Sequence, residues 1–325
     1  MQRLTSLLFV TFLVTHVVQA QDRTKYSELI KEAWKLYETK AYLTSAQKYS
    51  EAFAALGNKS TVNDRYNAAC SWALASQPDS AFAQLFKIAA GGMYTNLGHI
   101  TTDTDLNSLH NDNRWNTIIS HVKTNKAKAE ANFDKPLVAM LDTIYQNDQS
   151  YRQQMKGVEQ KHGWNSDEMK ALWKIISEKD SVNLIKVKKI LDERGWLGAD
   201  VIGGKGNATL FLVIQHADLA TQQKYLPMMR DAARKGNAQP SSLALLEDRV
   251  ALGEGKKQIY GSQIGTDPKT GAHYVLPLVD PDNVNKRRTQ VGLGTIEEYI
   301  ANWNMTWDVE LYKKQLPEYE ALQRR

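Results

Sequence analysis

The sequence predicts a mainly α protein, α+β overall, in which N-terminal helical hairpins precede a C-terminal helical domain with a small β-hairpin. Two observations carry this. Four helix-length segments near the start, residues 26–39, 41–56, 63–75 and 80–90, place apolar side chains three and four positions apart, the spacing of one helix face. After Gly255 that period gives way to strand-like runs at 258–263 and 273–278, flanking the turn-forming stretch Asp267-Pro268-Lys269-Thr270-Gly271.

The 325 residues suit about two domains, and a composition 42% hydrophobic and 24% charged excludes a disordered or fibrous chain. The 41 basic and 36 acidic residues leave a net charge of +5 that is spread along the chain, so no nucleic-acid partner is expected. Beyond residue 20 no apolar run is long enough to span a bilayer, so no membrane span is expected. Residues 1–20 combine Arg3, an apolar run from Leu7 to Val18 and the exit Val18-Gln19-Ala20, the pattern of a secretory signal peptide. The alternative is an uncleaved anchor helix. The expected location is therefore exported, periplasmic or secreted. Cys70 is the sole cysteine, which rules out an intramolecular disulfide. Its setting, Asn67-Ala68-Ala69 before and Ala73-Leu74 after, favours a small buried hydrophobe over a reactive thiol.

Shifting the chain by 36 residues aligns the hairpin segments in pairs: Ala33 with Ala69, Leu36 with Trp72, Ser45 with Ala81, Tyr49 with Leu85 and Ala52 with Ile88. Small residues recur where two helices approach closely and large ones where they wedge against a neighbour. This self-similarity resembles the tetratricopeptide repeat, whose period is about 34 residues. It departs from that pattern at Gly57, where a helix-ending Pro is usual, and in lacking a large aromatic near the start of the first unit. Residues 103–122, with Leu106, Leu109, Trp115, Ile118 and Ile119, read as a closing helical piece, and His110 among Asn111, Asp112 and Asn113 reads as a turn. The resemblance implies a concave groove for an extended peptide or partner helix. The competing reading is that the hairpins only brace the second domain. The polar stretch 123–132, itself a possible exposed helix, marks the boundary between a repeat domain at 22–130 and a C-terminal domain at 131–325.

In the C-terminal domain, residues 137–155, 166–177 and 183–193 read as three helices, the second capped by Ser166 and the third ended by Gly195. Gly203-Gly204-Lys205-Gly206 lacks both the Walker and the dinucleotide-binding spacing, so it reads as a tight turn before a helix at 209–217. Pro240 opens another helix, and Thr295 with Glu298 forms a capping box for a last one. The dense polar signature supplies candidate catalytic residues His216, Asp218 and Asp248. Candidate ligand-binding residues are Arg249, Gln258, Tyr260, Gln263, Arg287 and Arg288. A general base at His216, oriented by Asp218 or Asp248, can act on an anionic substrate gripped by these arginines, with Tyr260 and Gln263 hydrogen-bonding it, as in a hydrolase or transferase. Ligand binding without turnover and a purely structural buried network explain the same residues. No nucleophile motif is present, no cofactor is implied, and no metal is expected because His216 and Asp218 point apart on a helix.

The motifs Gly195-Trp196, Gln215-His216-Ala217-Asp218, Asp248-Arg249-Val250, Gln258, Tyr260-Gly261-Ser262-Gln263 and Asn283-Val284-Asn285 with Arg287-Arg288 and Gly292-Leu293 resemble a bacterial domain-of-unknown-function family from about residue 137 to 307. Ser262 stands where Thr is commoner and keeps the hydroxyl. The resemblance implies membership and no activity.

Overall fold

The protein is represented by a computed structural model that describes residues 22–323; the signal-peptide reading of residues 1–20 lies outside the described residues. The chain divides into two compact units between Ala131 and Asn132.

The N-terminal unit contains α1 (22–38), α2 (Tyr42–Ala55), α3 (Val62–Leu74), α4 (Pro78–Ala89), α5 (Leu97–Thr102), a 3-10 turn (Thr104–Leu109) and α6 (Asn113–Ala129). Thr61 caps α3 by accepting the Asp64 N–H at 3.0 Å, and Pro78 occupies the first turn of α4, where its missing N–H costs nothing. Ala33, Ala46, Ala52, Ala68, Ala69 and Ala81 are fully buried, as close helix approach requires. Two apolar clusters result. One gathers Ala33, Tyr49, Ala52, Phe53 and Ala68, and the other gathers Tyr66, Phe82, Leu85, Ile88 and Ile118 with their neighbours. Ser45 donates to the Ala33 carbonyl at 2.8 Å and meets the Ser71 hydroxyl at 3.1 Å, which satisfies two polar groups inside the helical stack. Cys70 is buried, and burial pushes its thiol far above the ordinary range, so it packs as a neutral hydrophobe. Part of the polar stretch at 123–132 is the last turns of α6, anchored where Asn125 donates to the carbonyls of Ala89 (2.7 Å) and Tyr94 (3.1 Å).

The C-terminal unit runs α7 (Lys135–Arg152), α8 (Met155–His162), α9 (Asp167–Arg194), α10 (Ala199–His216), α11 (Leu219–Arg234), α12 (Pro240–Gly253), β1 (Ile264–Thr266), β2 (His273–Val275), α13 (Val284–Gln290), α14 (Ile296–Ile300) and α15 (Val309–Gln323). α10 packs on α7 and α9 around Leu141, Ile144, Val187, Leu210 and Ile214. The hairpin is antiparallel, with Ile264 opposite Val275 and Thr266 opposite His273, and the Thr295–Glu298 capping box is formed.

Four expectations are corrected. The run 258–263, read as a strand, forms a loop, and the first strand is Ile264–Thr266 just beyond it. The helix opened by Thr295 is not the last, since α15 follows it. Residues 166–177 and 183–193 belong to one 28-residue helix, α9. The gap in their apolar period is a polar turn containing Asp180 and Ser181 that faces a cavity, and neither Gly nor Pro interrupts it. The glycine-rich stretch is a kink and not a separate loop: α10 is two helical pieces joined at Gly203 (φ +71°, ψ 163°), so the expected turn is reduced to that one residue, and Gly204 to Gly206 already belong to the second piece. Gly206 instead serves close packing, since a Cβ there would sit 3.1 Å from Leu141. A Cβ at Gly204 meets nothing within 4 Å. Gly204→Ala should therefore stabilise the unit by up to about 1 kcal/mol through the unfolded chain. Gly206→Ala should fall about 1–2 kcal/mol below it through overpacking, a difference read from urea unfolding midpoints.

Candidate functional site

The candidate residues separate into two centres. The first is built around Asp248 on α12, which is completely buried. The loop at 258–263 turns its amides toward this carboxylate: Ile259 N–H donates at 2.6 Å, Tyr260 N–H at 2.9 Å and Ser262 N–H at 3.0 Å. Gly261 makes the turn possible, because its φ of +67° and the 2.8 Å that would separate a Cβ from Ile296 both exclude a side chain. The loop's carbonyls face the arginines of α13. Arg287 Nε donates to Ile259 O at 2.8 Å and its Nη2 to Val279 O at 2.6 Å. Arg288 Nη1 donates to Tyr260 O at 2.8 Å and its Nε to Gly294 O at 2.6 Å. Gln258, also fully buried, gives its amide N–H to Gln263 O (3.0 Å) and Leu276 O (2.8 Å) and accepts Gln263 N–H at 2.9 Å.

Acid on the amide side and base on the carbonyl side thus fix one loop. Burial pushes the Asp248 carboxyl up, against the pull of its N–H donors. The Tyr260 hydroxyl pairs with Glu247, and burial followed by that carboxylate raises its pKa. Arg249 joins neither set; its Nε is buried without a hydrogen-bond partner, and burial lowers its pKa, with Arg152 acting in the same direction.

The second centre contains His216 at the end of α10. Neither Asp248 nor Asp218 orients it. Its partner is Asp148 on α7, whose Oδ1 lies 3.0 Å from His216 Nδ1. Asp218 lines the same cavity but caps α11, accepting the Thr221 N–H at 2.8 Å. Asp148 is 1% exposed. Arg152, one turn along α7, donates to the Asp148 carbonyl at 2.8 Å and lies 3.3 Å from its Oδ1. The same guanidinium grips both oxygens of Asp180 on α9, at 2.9 and 2.6 Å. Burial alone would raise the Asp148 carboxyl, but the His216 hydrogen bond, with the charges of His216 and Arg152, holds it below the ordinary range. The group borders a cavity of about 220 Å³ lined also by Ser177, Ser181, Leu184 and Val213.

With a carboxylate against Nδ1, neutral His216 carries its proton there and leaves Nε2 as an acceptor. His216, Arg249, Tyr260 and Arg287 therefore do not converge on one pocket. Asp148, Asp180 and His216 each bring a ligating atom within 4.8 Å of the others, a grouping that spacing along one helix could not reveal. A cation entering there would have to displace Arg152 from both carboxylates.

The sequence reading missed Asp148, Arg152 and Asp180. The available signal was Asp148 itself, which continues the buried stripe of Leu137, Leu141 and Ile144 at helical spacing and so places a charge on an apolar face. Asp248→Ala should strand three main-chain amides, one buried and two part-buried, and cost about 3 kcal/mol, whereas Asp248→Asn, which keeps one acceptor, should cost less; thermal unfolding of the two variants measures this.

No curated protein and no solved structure shows a match to this chain. Residues 132–311 match the family of unknown function DUF6624. That span holds both polar centres and more than half of the sequence, so the chain belongs to the DUF6624 family.

Proposed function

We propose that this chain is an exported binding protein, periplasmic or secreted. Its C-terminal unit takes a small polar ligand at the His216–Asp148 cavity, and its tetratricopeptide-like N-terminal hairpins engage a protein or peptide partner. The observation that carries the first part is the 3.0 Å contact between His216 Nδ1 and a carboxylate that is 1% exposed. A buried carboxylate is costly unless paired, so the pairing fixes the ring's orientation and tautomer. Among the described residues nothing hydrogen-bonds Nε2, and the side chain keeps 18% of its exposure at the cavity. The imidazole is thus a preoriented acceptor for a ligand O–H or N–H. Three aspartates, Asp148, Asp180 and Asp218, line the cavity, which favours a neutral or cationic ligand over an anion.

The second reading is a hydrolase or transferase with His216 as general base, and the same carboxylate–imidazole pair favours it. An anionic substrate would find Arg287 and Arg288 engaged with main-chain carbonyls and Arg152 with Asp148 and Asp180, leaving Arg249, whose Nε has no hydrogen-bond partner, as the cation to meet it.

His216→Asn separates binding from folding, because the Asn amide can still donate to Asp148 while the Nε2 acceptor is lost. A thermal-shift panel of small sugars, polyols, amines and amino acids should find compounds that raise the melting temperature of the native protein and not of His216→Asn. Equal shifts in both, or none in either, would refute the site.

The pH dependence has a definite sign. The Asp148 carboxyl is held below the value of about 3.9 that it has in the unfolded chain, so its stabilisation is complete above that value and lost as pH falls through the lower folded one. Asp148→Asn should lower stability at pH 7 and flatten the acid limb below about pH 4, as read by urea unfolding at stepped pH.

A further inference from the structure

The N-terminal unit holds a larger cavity, about 470 Å³, bordered by α1, α3, α5 and the turn that follows. Its walls are aromatic. Trp34 is 43% exposed and stacks on Tyr37 with centroids 5.1 Å apart, and Tyr66 lines another side, stacked on Tyr94 at 5.0 Å. Its polar residues include Asp103 and Asp105. Both carboxylates are held by neutral donors: Tyr37 hydroxyl to Asp105 at 2.6 Å, Tyr66 hydroxyl to Asp103 at 2.9 Å, and the Asp105 N–H to Asp103 at 3.0 Å.

Among the described residues neither Lys nor Arg lines this cavity. Its one basic group, His99, is half-exposed, with Nε2 3.8 Å from Asp103 and Nδ1 2.7 Å from the Tyr94 hydroxyl. Two carboxylates and the exposed Trp34 ring therefore share a hollow without a strong cation. Both features attract the same thing, a positive charge on an apolar stem. Carboxylate oxygens of Asp103 and Asp105 approach within 4.8 Å of one another and of Cys70 Sγ. A compact ammonium with three donors bridges two such oxygens, whereas a planar guanidinium fork matches the two oxygens of a single carboxylate. A metal ion is the weaker match, since the third ligand would be a buried thiol whose proton is held tightly.

We infer that this hollow binds the side chain of a lysine in an extended peptide, the ammonium between Asp103 and Asp105 and the methylene stem against Trp34 and Tyr37. The inference rests on reading the N-terminal hairpins as an interaction module and specifies what that module recognises. A peptide is the occupant, rather than a free amine, because the exposed Trp34 face and the exposed Thr104 extend the contact surface beyond the reach of one ammonium group.

The test uses the full chain and an array of twelve-residue Ala/Ser peptides whose central position carries Lys, Arg, Nε-acetyl-lysine or norleucine, followed by solution affinities. The Lys peptide should bind at least tenfold more tightly than the acetyl-lysine and norleucine peptides, more tightly than the Arg peptide, and more weakly as salt rises. Asp105→Asn and Trp34→Ala should each cost about tenfold in affinity while leaving the melting temperature within a few degrees. Binding indifferent to the central residue, or unchanged in both variants, overturns the lysine site and leaves the interaction module standing. n-Butylamine binding as tightly as the peptide, or calcium or zinc abolishing peptide binding at stoichiometric amounts, also overturns it. No binding by any peptide to the folded protein overturns the site and the interaction module together.

Discussion

A carboxylate placed on the apolar stripe of a helix has to be matched where it lies, and Asp148 sets that condition for the centre of the C-terminal unit. Leu137, Leu141 and Ile144 bury the face of α7 that also carries Asp148. Leaving the carboxylate unpaired there would cost far more than one hydrogen bond supplies. His216 answers from α10 and Arg152 from the next turn of α7, and Arg152 in turn draws in Asp180 of α9. Three helices are thereby tied through one charge. The cavity beside them exists because polar atoms occupy a place where apolar side chains would otherwise interdigitate.

The second centre answers the same problem differently. Asp248 is equally buried but meets main-chain amides, while the carbonyls of that loop meet Arg287 and Arg288. Charge there is consumed in fixing a turn, and what remains is a clamp for the hairpin and the small helices after it. The difference lies in what each centre leaves over. Around Asp248 the donors and acceptors close on one another. Around Asp148 the far edge of an imidazole stays open to a cavity.

Much of the architecture was legible in the sequence. The first four helices of the N-terminal unit follow directly from apolar spacing, whereas α5 was not read and residues 103–122, read as one closing piece, divide into a 3-10 turn and the start of α6. The change of period after Gly255 marks the hairpin but places its first strand on the loop that precedes β1. Periodicity failed where a helix face turned polar for a local reason. The Asp180–Ser181 turn looked like a break in α9 because it faces a cavity, and the glycines of α10 looked like a loop because Gly203 makes a kink and Gly206 serves close packing against α7. The polar centres were legible only by residue type. His216, Asp248, Arg287 and Arg288 stood out, but the contacts of His216 with Asp148 and of the two arginines with the 258–263 loop reach 68 and 28 residues along the sequence. Asp148 carried the one local clue, a charge at a core position.

The orientation of the His216 ring is the physical statement on which the proposed ligand site turns, and nitrogen NMR of histidine-labelled protein reads it directly. Long-range proton–nitrogen correlations, with the His216 signals assigned by their loss in His216→Asn, report which ring nitrogen carries the proton in the neutral form. A proton on Nδ1, with Nε2 showing the shift of an unprotonated acceptor, is the predicted result. A proton on Nε2, or a pattern averaged between the two nitrogens as in a free imidazole, would contradict the pairing with Asp148 and remove the basis for a preoriented acceptor.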